Sequence, residues 1–127
     1  MINGLVILFL VLATLFTLVH TVALAMSLYW YHWWFDVLMH FWGGALVALG
    51  MHSVATFQWL RIQSSTSMVL LALFIATGCW EVFEWFAGLY NPDMYIADTI
   101  QDLLLGFSGG LLVHAVITTY KNKKEIV

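Results

Sequence analysis

The sequence predicts an all-α protein: a polytopic membrane four-helix bundle with short loops, one transmembrane domain over residues 1–127. Three observations lead there. The chain is 63% apolar and only 9% charged, whereas a soluble domain is about a quarter charged. Four apolar stretches, about 3–27, 35–58, 66–89 and 97–119, each come near the roughly 20 residues that cross a hydrocarbon core about 30 Å thick. The short alternating segments that mark a membrane barrel are absent. Lipid leaves the backbone no third choice beyond helices and closed barrels.

The first span, 3–27, reads as a retained helix. "ALA" at 23–25 resembles a cleavage site, but residues 1–4 carry no Lys or Arg and the apolar run is too long for a signal peptide. The connection that follows, 28–34, reads "LYWYHWW", an aromatic belt of the kind that sits at a membrane–water interface. His32 within it reads as interfacial. The second span, 35–58, opens on "FDVLMHFWGG". The third, 66–89, contains "EVFEW" at 81–85, and the fourth, 97–119, opens on "ADTIQD" at 97–102. A short tail covers 120–127. The single Cys79 excludes an intrachain disulfide and a multi-cysteine zinc motif, and reads as a small buried hydrophobe.

Charge sets the expected orientation. The four cations are Arg61, Lys121, Lys123 and Lys124. With four spans they fall on one side, which the positive-inside rule makes cytoplasmic. Both termini are then cytoplasmic, in a multi-pass protein of the plasma (inner) membrane. Of the seven acidic residues, only Glu125 lies on that side. Asp36, Glu81, Glu84, Asp93, Asp98 and Asp102 map to the outer half. A basic stripe is lacking, so no nucleic-acid partner is expected.

Residues three or four apart share a helix face. Asp36/His40, Glu81/Glu84 and Asp98/Asp102 are therefore one-faced pairs. At about 1.5 Å per residue, His40 lies roughly 6 Å below Asp36, Asp102 roughly 6 Å below Asp98, and Glu84 about 7 Å inside its span. Three helices thus bring His40, Glu84 and Asp102 to one height. The same stripes continue inward with small residues: Gly44, Ala48 and His52 below His40, and Gly106 and Gly110 below Asp102. Gly43, Gly44, Gly106 and Gly110 are read as packing glycines that let helices approach closely. A shift of 62 positions places Asp36 on Asp98, His40 on Asp102, Gly44 on Gly106 and His52 on His114. Duplication and coincidence among apolar residues both explain that match.

Five carboxylates and one imidazole cannot sit together in a low-dielectric layer fully ionised and unpaired. Some keep protons, or a cation neutralises them, and no Lys or Arg lies in the outer half. A divalent metal held by Asp36, His40, Glu81, Glu84, Asp98 and Asp102 is the economical expectation. Oxygen-rich ligation with one histidine suits Mg²⁺, Mn²⁺, Zn²⁺ or Fe²⁺. Single residues have plainer readings. Asp98 and Asp36 are natural helix caps, Asp93 a solvated loop residue, and His20 a hydrogen-bonded packing residue. Trp80 and Trp85 read as packing or interface residues, and His52 and His114 as too far inward to join the layer. Glu81, Glu84, Asp102 and His40 have no such reading.

The pattern Asp36-x-x-x-His40-x-x-Gly43-Gly44, then Glu81-x-x-Glu84-Trp85, then Asp98-x-x-x-Asp102 before a glycine-rich helix resembles the VanZ-like and YjdF-type integral membrane families over residues 35–112. The resemblance implies a small helical bundle with an acidic/His cluster at the membrane face, and no settled reaction. Glu84 stands where VanZ-like proteins often carry an amide.

Three functions compete. The first is a metal-dependent enzyme acting on a lipid or lipid-linked phosphate at the outer leaflet, with the metal polarising a phosphoryl oxygen or activating water. The G-x-S-x-G nucleophile motif is absent. The second is ion or proton handling, which intramembrane acids often mark. The third is a structural or accessory subunit whose polar layer fixes register. Membrane lipid is the expected partner, alone or within a homo-oligomer or larger membrane complex. An outward crevice beside the cluster separates the enzyme from a sealed structural site, and a continuous polar path would separate transport from both.

Overall fold

The computed structural model describes residues 4–90 and 92–125. Five α-helices follow in order: α1 (Gly4–Ala25), the single turn α2 (Leu28–Tyr31), α3 (Trp33–Val54), α4 (Thr66–Ala87) and α5 (Tyr95–Glu125). A 3-10 turn, Gln58–Leu60, lies between α3 and α4. No strand occurs among the described residues. The four long helices are long and apolar enough to cross a membrane. Their large outward residues, such as Leu18 on α1 and Phe74 and Phe86 on α4, are exposed to what surrounds the bundle.

The helix ends depart from the expected spans for local reasons. Ser27 takes a left-handed conformation (φ 55) that ends α1 and starts α2, so the aromatic connection is half helical. α3 starts at Trp33 and α5 at Tyr95, two residues earlier than expected. α3 stops at Val54, where the Thr56 hydroxyl donates to the Ser53 carbonyl at 2.7 Å and so competes for a helical acceptor. At α4 the Ser65 hydroxyl accepts from the Met68 amide, and Gly88 (φ 67) terminates the helix in a left-handed cap. α5 carries on through the lysines to Glu125, so residues 120–125 extend a helix and are not a separate tail. Cations in a last turn complement the helix dipole. Residue 3 of the first expected span and residues 126–127 of the expected tail lie outside the described residues.

α3 and α5 form the most extensive interface. Both start at the acid-bearing end of the bundle, so they run parallel. The shift of 62 positions acquires a physical meaning here: residues it matches meet across this interface. A Cβ on Gly44 would run into the Gly106 carbonyl, and one on Gly109 into the Phe41 carbonyl. Gly110 sits against the Leu73 side chain and 3.0 Å, measured from its would-be Cβ, from the Gly44 carbonyl. Only glycine permits this crossing. Gly109 is an unforeseen member of it. Gly43 is not a member: a Cβ there would meet only the Phe16 ring on α1, at 3.8 Å.

Below the crossing, Ala48, Val69 and Leu73 are completely buried (0%), with Val47, Met51, Phe107 and Val113 packed round them. Beyond this apolar layer, at the lysine-bearing end, the two histidines of the repeat pair with each other. His52 Nε2 and His114 Nδ1 lie 3.0 Å apart, Lys121 Nζ is 3.3 Å from His52 Nδ1, and His114 Nε2 is 3.0 Å from Thr66 Oγ1. An ammonium only donates, which fixes the direction of the chain. Lys121 donates to His52, whose Nε2–H donates to His114, whose Nε2–H donates to Thr66. Every ring nitrogen has a partner.

Candidate metal centre

Three helices supply the acid-bearing layer. α3 brings Asp36 and His40, α4 brings Glu81 and Glu84, and α5 brings Asp98 and Asp102. The glycine crossing beneath holds α3 and α5 close enough for His40 to face the opposite helix. His40 Nε2 lies 3.3 Å from Asp36 Oδ1 on its own helix and 3.7 Å from Asp102 Oδ2 across the interface. One nitrogen thus faces two carboxylates.

The donors fall into two sets. In the first, His40, Glu81, Glu84 and Asp102 each place one ligand-type atom within 4.8 Å of all the others. In the second, Asp36, Asp98 and Asp102 do the same. Asp102 belongs to both, at the centre of the cluster. It is 2% exposed, and its Oδ1 is buried with no hydrogen-bond partner. A buried polar atom without a partner costs about 1–3 kcal/mol, and more when charged.

Asp36 and Asp98 do not cap their helices. His32 holds the N-cap position of α3 without a side-chain hydrogen bond, and Asp36 sits a turn further in. Asp98 likewise lies within the first turn of α5, its amide bonded to the Met94 carbonyl. Both are free to turn inward because their helices begin earlier than expected.

Several neighbours were misjudged or missed. Trp80 does more than pack: its indole N–H donates to Glu84 Oε1 at 2.8 Å, which fixes that carboxylate. Trp85 is exposed, in keeping with an interface residue. His20 is hydrogen-bonded as expected, its Nδ1 lying 2.7 Å from the Tyr29 hydroxyl, and its ring contacts Trp80 edge-on. Burial, then the Asp36 and Glu84 carboxylates, push the Tyr29 phenol above its ordinary range, so it stays an O–H. Asp93 is exposed in the loop before α5. Cys79 is exposed on α4 and not buried; a small apolar side chain facing lipid loses nothing by it.

Two cavities adjoin the cluster. A chamber of about 370 Å³ at the acid-bearing end reaches Asp36, Glu84 and Asp98 and is walled by Tyr29, Trp33 and Trp80. No Lys or Arg lines it. A smaller slot of about 190 Å³ lies on the other side of Tyr29 and Trp80, with His40 at one end and Gly43, Val47 and Ala76 along it. The centre is therefore accessible from its own end of the bundle, while the Ala48–Val69–Leu73 layer closes it from the other.

Residues 3–123 match the family described as Predicted membrane protein (DUF2238). The chain belongs to that family and is a multi-pass membrane protein. No curated protein and no solved structure matches it.

Proposed function

We propose that the protein binds one divalent metal ion between His40, Glu81, Glu84 and Asp102, and uses it on a lipid or lipid-linked phosphate at the outer face of the plasma (inner) membrane. The orphaned Asp102 Oδ1 at the centre of converging donors carries this reading. A cation would give that oxygen a partner. Mg²⁺, Mn²⁺, Zn²⁺ and Fe²⁺ all accept an oxygen-rich set with one imidazole. Asp36 and Asp98 stand at the rim towards the chamber, where a carboxylate left off the metal can serve as a base.

The chamber beside the cluster supports catalysis over a sealed structural role. The apolar Ala48–Val69–Leu73 layer beneath it weighs against conduction, because it separates the polar groups at the two ends among the described residues. With every Lys and Arg at the far end, the metal would be the group that holds and polarises a phosphoryl oxygen. The outward orientation rests on Arg61, Lys121 and Lys123 gathering at the opposite end. The likeness of residues 35–112 to VanZ-like and YjdF-type proteins is part of the same reading, since it implies an acidic/His cluster at the membrane face.

Elemental analysis of detergent-purified protein tests it. About one metal per chain is expected in the wild type, and close to none in a Glu81→Gln/Glu84→Gln variant that retains its helicity. Equal metal content in the two would overturn the assignment.

A further inference from the structure

Both cavities lie in one groove. α1 packs on α3, and α4 packs on α5 and α3, but α1 and α4 have little direct contact. The gap between them is floored by α3 and bridged by the His20–Trp80 ring contact, with centroids 5.4 Å apart. Above that bridge is the chamber, with His20 and Leu24 of α1 facing Trp80 and Glu84 of α4. Below it is the slot, with Phe16 facing Ala76 and Thr77.

The two halves differ in chemistry. The slot lies deeper along the helices and is mainly apolar, its polar groups coming from His40, Thr77, Tyr29 and Trp80. The chamber has three carboxylates, Asp36, Glu84 and Asp98, beside the rings of Tyr29, Trp33 and Trp80. Aromatic faces with carboxylates and without cations are how an ammonium group is recognised. Without a metal, an anionic headgroup would meet only like charge there.

We propose that this groove binds a zwitterionic, amine-bearing phospholipid entering sideways between α1 and α4. One acyl chain fills the slot, and the ammonium sits among the chamber's acids and rings. The phosphate, a few bonds from both, then lies over the carboxylate layer. Only that last placement rests on the proposed metal; chain and ammonium binding do not need it. Gly43 limits the slot, since a side chain there would project into it and touch only Phe16.

Native mass spectrometry of delipidated, chelator-treated protein tests this with phosphatidylethanolamine and phosphatidylglycerol of identical chains, each added at the same concentration. The phosphatidylethanolamine adduct should exceed the phosphatidylglycerol adduct at least fivefold. Gly43→Leu should reduce it at least fivefold, with helicity retained. Ala76→Leu, filling the slot from the opposite wall, should do the same and decides the matter if Gly43→Leu does not fold. Equal or preferred binding of phosphatidylglycerol, or full binding by folded slot-filled variants, would overturn the proposal. Lipid preference in a protein that binds no metal would leave this inference standing and remove the metal; a stoichiometric metal without lipid preference would do the reverse.

Discussion

The two ends of the α3–α5 pair are built on one plan and finished differently. At both ends, residues 62 positions apart face each other across parallel helices, with the glycine crossing between. At the lysine-bearing end the pair is His52 and His114, and each ring nitrogen is engaged, from Lys121 through to Thr66. At the acid-bearing end the matched residues are Asp36 with Asp98 and His40 with Asp102. There the bonding is incomplete, with an oxygen left over and a chamber alongside. A saturated polar network rigidifies a bundle. An unsaturated one stores cost, which proteins accept where a ligand will be bound. The same geometry thus gives a saturated clasp at one end and an unsaturated cluster at the other, which under the proposed reading is the receptor.

The largest effect should come from the crossing that both ends share. Gly44→Ala places a methyl on the Gly106 carbonyl. Overpacking typically costs about 1–3 kcal/mol and more against backbone, so this variant should lose its folded fraction by thermal unfolding in detergent. Gly43→Ala, meeting Phe16 at ordinary contact distance, should stay within about 0.5 kcal/mol of the wild type. If both were equally damaging, the crossing would not be the hinge of the comparison.

The two ends should then respond with opposite signs. His114→Ala leaves His52 and Thr66 without their partner, and should destabilise by about 1–3 kcal/mol with metal content unchanged. Asp102→Asn exchanges a buried carboxyl carrying a partnerless oxygen for an amide of the same size, and should leave the metal-free protein as stable or up to about 1 kcal/mol more stable while abolishing metal binding. A destabilised Asp102→Asn would mean that the acid end is a clasp too. Trp80→Phe takes away the donor that orients Glu84, and should weaken metal binding about tenfold, as loss of an outer partner of a ligand does. The smallest change belongs to Cys79→Ser on the lipid face, expected to be within about 0.5 kcal/mol in stability and silent in metal content.

The spans were legible because lipid imposes a length and a composition on every crossing segment. The convergence of Asp36, His40, Glu81, Glu84, Asp98 and Asp102 was legible because spacing fixes a helix face and depth follows from residue count. Neither spacing nor depth distinguishes Gly43 from Gly44. They are adjacent in sequence and point to different helices, which depends on how α3 is rotated against α1 and α5. The His52–His114 pair was visible as a repeat, but its meaning required knowing that α3 and α5 are parallel neighbours. Trp80 gave only a weak signal, its four-residue spacing from Glu84, since tryptophan beside a span end is ordinarily an interface residue. The early starts of α3 and α5, which turn Asp36 and Asp98 from caps into inward residues, depend on cap geometry that no composition rule marked.

Convergence of a nitrogen and several carboxylate oxygens on one ion is the claim on which the rest depends. Electron–nuclear spectroscopy of protein loaded with Mn²⁺ measures it most directly. The account predicts one bound Mn²⁺ per chain with a single imidazole nitrogen coupling that vanishes in His40→Gln. Bound Mn²⁺ lacking nitrogen coupling, or coupling that survives His40→Gln, would contradict it.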